Sequence, residues 1–212
     1  MIVIVDYGMG NLGSIKNMLK RLGVEAKVSS DPFEIESSAK LIIPGVGAFA
    51  RGMEQLIERK LDGVLRKKAL EDRVPILGIC LGMQLMTESS EEGDRSGLGW
   101  VPAKTVHFTR DAPLSAKGIK IPHIGWNFVD VAKPHPLLKD LPLEPRFYFV
   151  HAYKVVCDTK EDALLTTKYG PIEFTAAFAK NNIVGVQFHP EKSHKFGMKL
   201  LQNFSTWSAL NA

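Results

Sequence analysis

Two short stretches of the chain carry residues able to do covalent chemistry. The first, Gly78-Ile79-Cys80-Leu81-Gly82, sets a cysteine between glycines placed two residues to either side. This is the spacing of a nucleophile elbow, a sharp turn from strand into helix that leaves no room for side chains at the flanking positions. Such a turn lifts the Cys80 thiol out of the core. It also aims backbone N–H groups at the start of the following helix into the same space, where they and the helix dipole favour a thiolate and any oxyanion beside it. A cysteine in an apolar run is otherwise a small buried hydrophobe. The paired glycines, which would only weaken a plain buried strand, favour the nucleophile.

The second stretch, Gln187-Phe188-His189-Pro190-Glu191, supplies a base. Pro190 biases His189 toward extended backbone, in which residues two apart point to the same side. Glu191 can then hold one ring nitrogen and leave the other to take a thiol proton, the part an acid plays in a triad. A free cysteine with a pKa near ~8.5 is only a few per cent thiolate at neutral pH, so the nucleophile needs such a partner. Imidazole titrates near pH ~6.5 and can serve first as base and then as acid.

The elements that must position these groups follow from the hydrophobic pattern. Residues 2–5 are apolar on both faces, as in a strand covered on both sides of a parallel sheet. A helix is predicted to about Leu22, a short strand over 25–28, a helical turn from Ser30-Asp31-Pro32, a third strand over 41–43, helix in one or two pieces over 52–71, and the elbow strand over 74–79. Strand and helix alternating in this way predict a doubly wound parallel sheet. After about Gly93 the pattern changes to strand-like runs over 100–108, 120–131, 146–156, 164–169, 174–179 and 183–188, with a tight hairpin link at Lys180-Asn181-Asn182. An amphipathic helix from Ser193 to about Leu210 closes the chain. The expected fold is α/β, a mostly parallel, doubly wound central sheet flanked by helices with added antiparallel strands in the second half. With no repeat, linker or low-complexity segment, residues 1–212 read as a single domain.

Two loops lie where an α/β sheet binds ligands, at the carboxyl ends of strands. Gly8-Met9-Gly10-Asn11-Leu12-Gly13 matches the dinucleotide fingerprint, but Val28 stands where the ribose-binding acid belongs, and Glu25 and Asp31 are poorly placed for it. We read it as a tight loop on the rim of the sheet. In Pro44-Gly45-Val46-Gly47-Ala48-Phe49, two glycines flank one residue directly after a buried strand, so this backbone can approach a ligand closely.

Composition narrows the function classes. The two cysteines, Cys80 and Cys157, cannot build a disulfide framework or a cysteine-only zinc site, and their scarcity suits a reducing cytosol, so a cytoplasmic protein is expected. No apolar run approaches the 18 residues of a membrane span. The net charge of +4 comes from scattered lysines and arginines, and the one tight cluster, Arg66-Lys67-Lys68, falls on a helical pattern, so nucleic-acid binding is not expected.

The elbow together with the Gln-Phe-His-Pro-Glu segment resembles the Cys-His-Glu triad of class I glutamine amidotransferases. Within that class, Asp6-Tyr7-Gly8-Met9-Gly10-Asn11, Pro44-Gly45-Val46-Gly47, Pro122-His123-Ile124-Gly125-Trp126-Asn127 and Tyr148-Phe149-Val150-His151 resemble the glutaminase subunits of imidazole glycerol phosphate synthases. The resemblance implies hydrolysis of L-glutamine to glutamate and ammonia through a thioester, with Cys80 as nucleophile, His189 as base and Glu191 as orienter. It implies oxyanion donors in the backbone of Gly45, Val46, Gly47 and Leu81. Gln84, four residues after the nucleophile on the same helical face, would hold the α-amino or carboxylate group of the substrate, and Glu92 the ammonium. Ala152 stands where relatives often carry Ser or Thr, removing a hydroxyl beside the substrate, so Ala152 and Tyr153 are contacts through backbone. His151 is either a neighbour of the substrate or a strand residue on the partner side. Asn11, His123, Trp126 and Asn127 are placed at a partner interface. That partner is the (β/α)8-barrel cyclase subunit, in a heterodimer, and no metal or organic cofactor is implied. Three alternatives stay open at this point. They are a glutaminase subunit of pyridoxal phosphate or aminodeoxychorismate synthesis, a non-catalytic subunit of the same fold, and a peptidase of γ-glutamyl bonds.

Overall fold

The computed structural model of the chain describes residues 1–111 and 119–208. Strands β1 (Ile2–Val5), β2 (Ala26–Ser29), β3 (Lys40–Gly45) and β4 (Ile76–Cys80) pair in parallel in the order β2-β1-β3-β4. They are connected through α1 (Leu12–Arg21), α2 (Pro32–Glu36), α3 (Phe49–Glu58) and α4 (Leu61–Arg66), and β4 runs directly into α5 (Leu81–Leu85). The helix expected over 52–71 is broken at Lys60, whose φ of 56° is left-handed, and its last five residues, Lys67–Glu71, are π-helical.

The second half builds β5 (Ser89–Ser90), β6 (Arg95–Ser96), β7 (Ala103–His107), β8 (His123–Phe128), β9 (Asp130–Val131), β10 (Arg146–His151), β11 (Tyr153–Cys157), β12 (Ala163–Tyr169), β13 (Ile172–Lys180) and β14 (Ile183–Val186), before α6 (His194–Thr206). β14 lies parallel to β4 and antiparallel to β13, so the mixed sheet continues through β13, β11 and β7. The end of the predicted last helix, near Leu210, lies outside the described residues. The run expected over 146–156 is not one strand. It breaks at Ala152, where β10 leaves a separate two-stranded ribbon with β8 and the chain enters the main sheet as β11.

Both faces of β1, β4 and β14, and of β3 beyond Lys40, are buried, which is why these strands are apolar, whereas the edge strand β2 leaves Lys27 exposed. Ile2, Ile4, Ile42, Leu77, Ile79, Val184 and Val186 pack on one side against Ile15 and Leu19 of α1 and Leu200, Leu201 and Phe204 of α6. Their neighbours Val3, Val5, Leu41, Ile43, Ile76 and Ile183 pack on the other against Phe49, Leu56, Leu61, Leu65, Leu81 and Leu85. The carboxyl ends of β1, β3, β4 and β14 share one rim, which gathers residues 6–11, 44–48, the start of α5 and residues 187–191. The glycine-rich loop after β1 bends over this rim with Gly8 and Gly10 at φ of 85° and 113°, and Gly10 packs on Pro44 and the Gly45 amide.

Candidate active site

The elbow forms as its glycines require. Cys80 ends β4 and adopts φ 54° and ψ −109°, a conformation that costs a non-glycine residue on the order of 1–3 kcal/mol and is held only by well-determined surroundings. Those surroundings are backbone. A Cβ on Gly78 would stand 2.8 Å from the Gly82 carbonyl group, and one on Gly82 would collide with the Ile43 carbonyl oxygen of β3. Gly82→Ala is therefore expected to destabilise the fold by more than ~3 kcal/mol, because neither clashing group is a flexible side chain. Thermal unfolding of the purified variant checks this, and a midpoint equal to the parent's would refute it. With only five residues in α5, the groups able to stabilise charge here are individual amides at its first turn, which lack partners within the helix.

His189 follows β14 and sits, almost fully buried, with Nδ1 2.8 Å from Oε1 of Glu191. The segment is fixed from the ribbon. The His189 amide donates to the Tyr148 carbonyl of β10 (2.9 Å), while the buried Ser193 hydroxyl donates to the His189 carbonyl (2.6 Å) and accepts from the Tyr148 amide (3.0 Å). Burial alone lowers the pKa of His189, but the Cys80 thiolate and the Glu191 carboxylate overcome it and raise the value to about 9. With Nδ1 on Glu191, the buried Nε2 has no other hydrogen-bond partner among the described residues and is the nitrogen left for the sulfur's proton. The thiol itself is 4.0 Å from the Val150 carbonyl, and the Gln187 side chain donates toward Sγ at 3.7 Å.

A cavity of about 240 Å³ opens beside the sulfur. Its walls include Val46 and Gly47 of the loop after β3, Cys80, Leu81 and Gln84 of the elbow, Glu92, and Val150, His151, Ala152 and Tyr153. The cavity thus gathers a thiol, the loop backbone and a carboxylate, with imidazole and carboxylate behind the sulfur. Such an arrangement can form and break an acyl–sulfur bond.

The whole chain but its ends, residues 3–206, matches the family of class I glutamine amidotransferases. It is 54% identical to the imidazole glycerol phosphate synthase subunit HisH 2 of Methanococcus maripaludis, covering 96% of this chain and 98% of that one. Identity to the HisH 2 subunit of Pseudomonas aeruginosa is 48%, with the same coverage. The chain belongs to the HisH family of class I glutamine amidotransferases. Its fold is also that of PurLQS from Thermotoga maritima, with a TM-score of 0.70 at 18% identity over 96% of each chain.

In this HisH family member the expected site residues divide into groups. Cys80, Val46, Gly47, Leu81, Gln84, Glu92, Ala152 and Tyr153 all line the one cavity, whereas Gly45, the last residue of β3, is not in its wall. Gln84 is buried, and both hydrogens of its amide are used, on the Tyr153 carbonyl (3.3 Å) and on Oε1 of Gln187 (3.0 Å). Its remaining capacity is its oxygen, so it can accept from an ammonium but cannot donate to a carboxylate. Glu92 accepts the Phe49 amide (2.8 Å) through Oε2, which makes it a cap of α3 as well as a cavity wall.

The partner-side expectations need one correction. His123 is only 1% exposed, because alternation along β8 turns it inward. Its outward neighbours Ile124, Trp126 and Phe128 are 59%, 41% and 58% exposed. Asn127 is half-buried and donates to the Lys168 carbonyl (2.8 Å), and the exposed Asn11 caps α1 by accepting from the Ser14 amide (3.4 Å). His123 Nδ1 lies 3.0 Å from Nε2 of His151, whose own Nδ1 lies 2.7 Å from the Tyr153 carbonyl. Burial lowers the pKa of His123 to about 4 and of His151 to about 3, so both are neutral at pH 7.

Sequence reasoning placed Gln187 in a motif without giving it work, and overlooked Ser193. Tyr7 too was quoted in a motif without a role, and its buried hydroxyl packs against Gly45 with no hydrogen-bond partner among the described residues, its pKa raised by burial and by nearby Cys80. The available signal was polarity at positions where the pattern demands core residues.

Among the described residues no helix is long and apolar enough to cross a membrane.

Proposed function

We propose that this chain is the glutaminase subunit of an imidazole glycerol phosphate synthase. It hydrolyses L-glutamine and passes ammonia to a cyclase subunit in the cytoplasm. The observation that carries the reading is the convergence of Cys80 with the His189–Glu191 pair at the wall of a cavity of about 240 Å³. The Cys80 thiolate attacks the carboxamide carbon, and the oxyanion is met by backbone amides of Leu81 and of the loop over residues 45–47. One such donor contributes about 3 kcal/mol to the transition state. His189, carrying the thiol proton, gives it to the departing ammonia and leaves a glutamyl thioester. The imidazole then takes a proton from water as the hydroxide adds to the thioester, and glutamate departs as the thiol is restored. Glu191 holds the imidazole in register throughout. Gln84 Oε1 and Glu92 accept hydrogen bonds from the substrate ammonium. No metal or organic cofactor takes part.

Glycines at 45 and 47 let the loop change backbone conformation, so activity is low in isolation and rises when the cyclase subunit docks. Glutamine turnover by the purified chain is measured with and without the cyclase subunit and its ligand, and equal rates would refute the gating.

The docking face is the outward side of β8. Three exposed apolar side chains in a row, Ile124, Trp126 and Phe128, suit a buried interface core, with Arg146 and Lys192 at its edge over the Phe128 and Tyr148 rings. Trp126→Ala is expected to weaken association with the cyclase subunit by ten-fold or more, as truncating a central aromatic anchor costs about 2 kcal/mol. Titration calorimetry reads the effect, and an unchanged Kd removes Trp126 from the interface.

A further inference from the structure

The triad leaves one group of buried polar side chains without a task. His123 and His151 are both shut away from solvent beneath the ribbon, and each is expensive to bury unless its ring nitrogens are satisfied. His151 Nδ1 faces a carbonyl, so it must carry the hydrogen, and a neutral His151 must then accept at Nε2. The hydrogen between the rings therefore belongs to His123 Nδ1. This fixes both tautomers and gives a one-directional chain, from His123 to His151 and on to the Tyr153 carbonyl, with the Asn127 side chain as the other hydrogen-bond partner of the His123 ring.

That carbonyl is also the acceptor for Gln84, whose amide reaches Gln187, whose amide in turn reaches the Cys80 sulfur. His151, Tyr153, Gln84 and Cys80 all line the cavity. We infer that His123, acting through His151, is a positioning residue for glutamine: its Nδ1–H on His151 Nε2, together with the Tyr153 carbonyl on Nδ1, holds the His151 ring in the one tautomer and orientation that place the Tyr153 carbonyl and Gln84. His123 itself touches neither substrate nor sulfur. It lies one residue from the outward-facing Ile124 on β8, so the device begins on the strand that carries the proposed docking face.

The ring of His123 also stacks on Tyr169 (4.1 Å between centroids) and Phe149 (5.1 Å), so hydrogen bonding and packing must be separated. Two substitutions do this. His123→Phe keeps an aromatic ring and deletes the donor, whereas His123→Asn deletes the ring and places an amide N–H near the position of Nδ1. In the complex with the cyclase subunit, kcat/KM for glutamine is expected to fall about ten-fold in His123→Phe, mainly through KM, and to stay within about three-fold of the parent in His123→Asn. The ammonium-driven reaction is expected to be unchanged in both. The reverse order, with the ring sufficient and the amide not, would overturn the inference, as would equal effects of the two. Nitrogen NMR of the labelled chain alone supplies a second reading, which needs neither the cyclase subunit nor turnover. His151 is expected as the Nδ1–H tautomer in the parent and in His123→Asn, and a majority of Nε2–H in the parent would overturn the assignment. Because this rests on the glutaminase reading only through the assay, a parent that fails to hydrolyse glutamine while showing the expected tautomer would count against that reading and not against the pair.

Discussion

Replacing Cys80 with alanine is expected to remove the glutamine-driven reaction of the proposed complex with a cyclase subunit and to leave its ammonium-driven reaction intact. Among the described residues the sulfur is the only nucleophile lining the cavity with an imidazole–carboxylate pair behind it, and alanine keeps the Cβ at the same backbone position. Deleting the nucleophile of a triad typically lowers turnover by on the order of 10⁴–10⁶-fold, because the acyl intermediate can no longer form. External ammonia needs none of this machinery and enters the acceptor reaction directly. Parallel assays with glutamine and with an ammonium salt decide the matter. Glutamine turnover within ten-fold of the parent, or loss of both reactions in a folded complex, would contradict the assignment.

The next largest effect is expected for Glu191→Gln. The carboxylate holds His189 Nδ1 at 2.8 Å, and both groups are almost completely shielded from solvent. A neutral amide keeps the shape but supports the imidazolium less and permits the wrong tautomer. Turnover of glutamine should drop by about 10³–10⁴-fold, the scale seen when a triad acid is replaced by its amide. The pH dependence gives a second, independent reading. His189 is raised to about 9, so the stability its charge contributes is fully present below the unfolded value near ~6.5 and is lost as pH rises through about 9. Without Glu191 one of the two groups holding the value up is gone. The alkaline limb of kcat/KM, expected near pH 9 in the parent, should then move to lower pH. A limb that stays in place would show that Glu191 does not act on the imidazole.

The placement of Cys80, His189 and Glu191 was legible because each is written in a local signal. Gly78 and Gly82 around Cys80 mark a turn in which a side chain would strike backbone, and Pro190 between His189 and Glu191 sets two side chains on one side. The parallel core was legible for a similar reason, since strands covered on both faces are apolar at every position. Long-range pairing was not. Nothing local separates β10 from β11, because Tyr148 to Val156 reads as continuous strand, and only tertiary contacts send the two parts to different sheets. The same limit hid the inward turn of His123. Its motif points to a partner face, but the side on which β8 lays each residue depends on its register with β10. β5 and β6, two residues each and polar, carry no periodicity to detect.

The break at Ala152 has a mechanical consequence. Among the described residues the β8–β10 ribbon shares no ladder with the main sheet, and it is tied to β12 instead by the Asn127 amide on the Lys168 carbonyl (2.8 Å) and the Thr167 hydroxyl on the Phe128 carbonyl (2.6 Å). The join is the backbone at Ala152, whose carbonyl accepts from the Phe108 amide at 3.2 Å, and Ala152 is itself a wall of the cavity beside Cys80. The ribbon and the cavity thus share a piece of backbone, and whatever shifts the one at Ala152 reshapes the other.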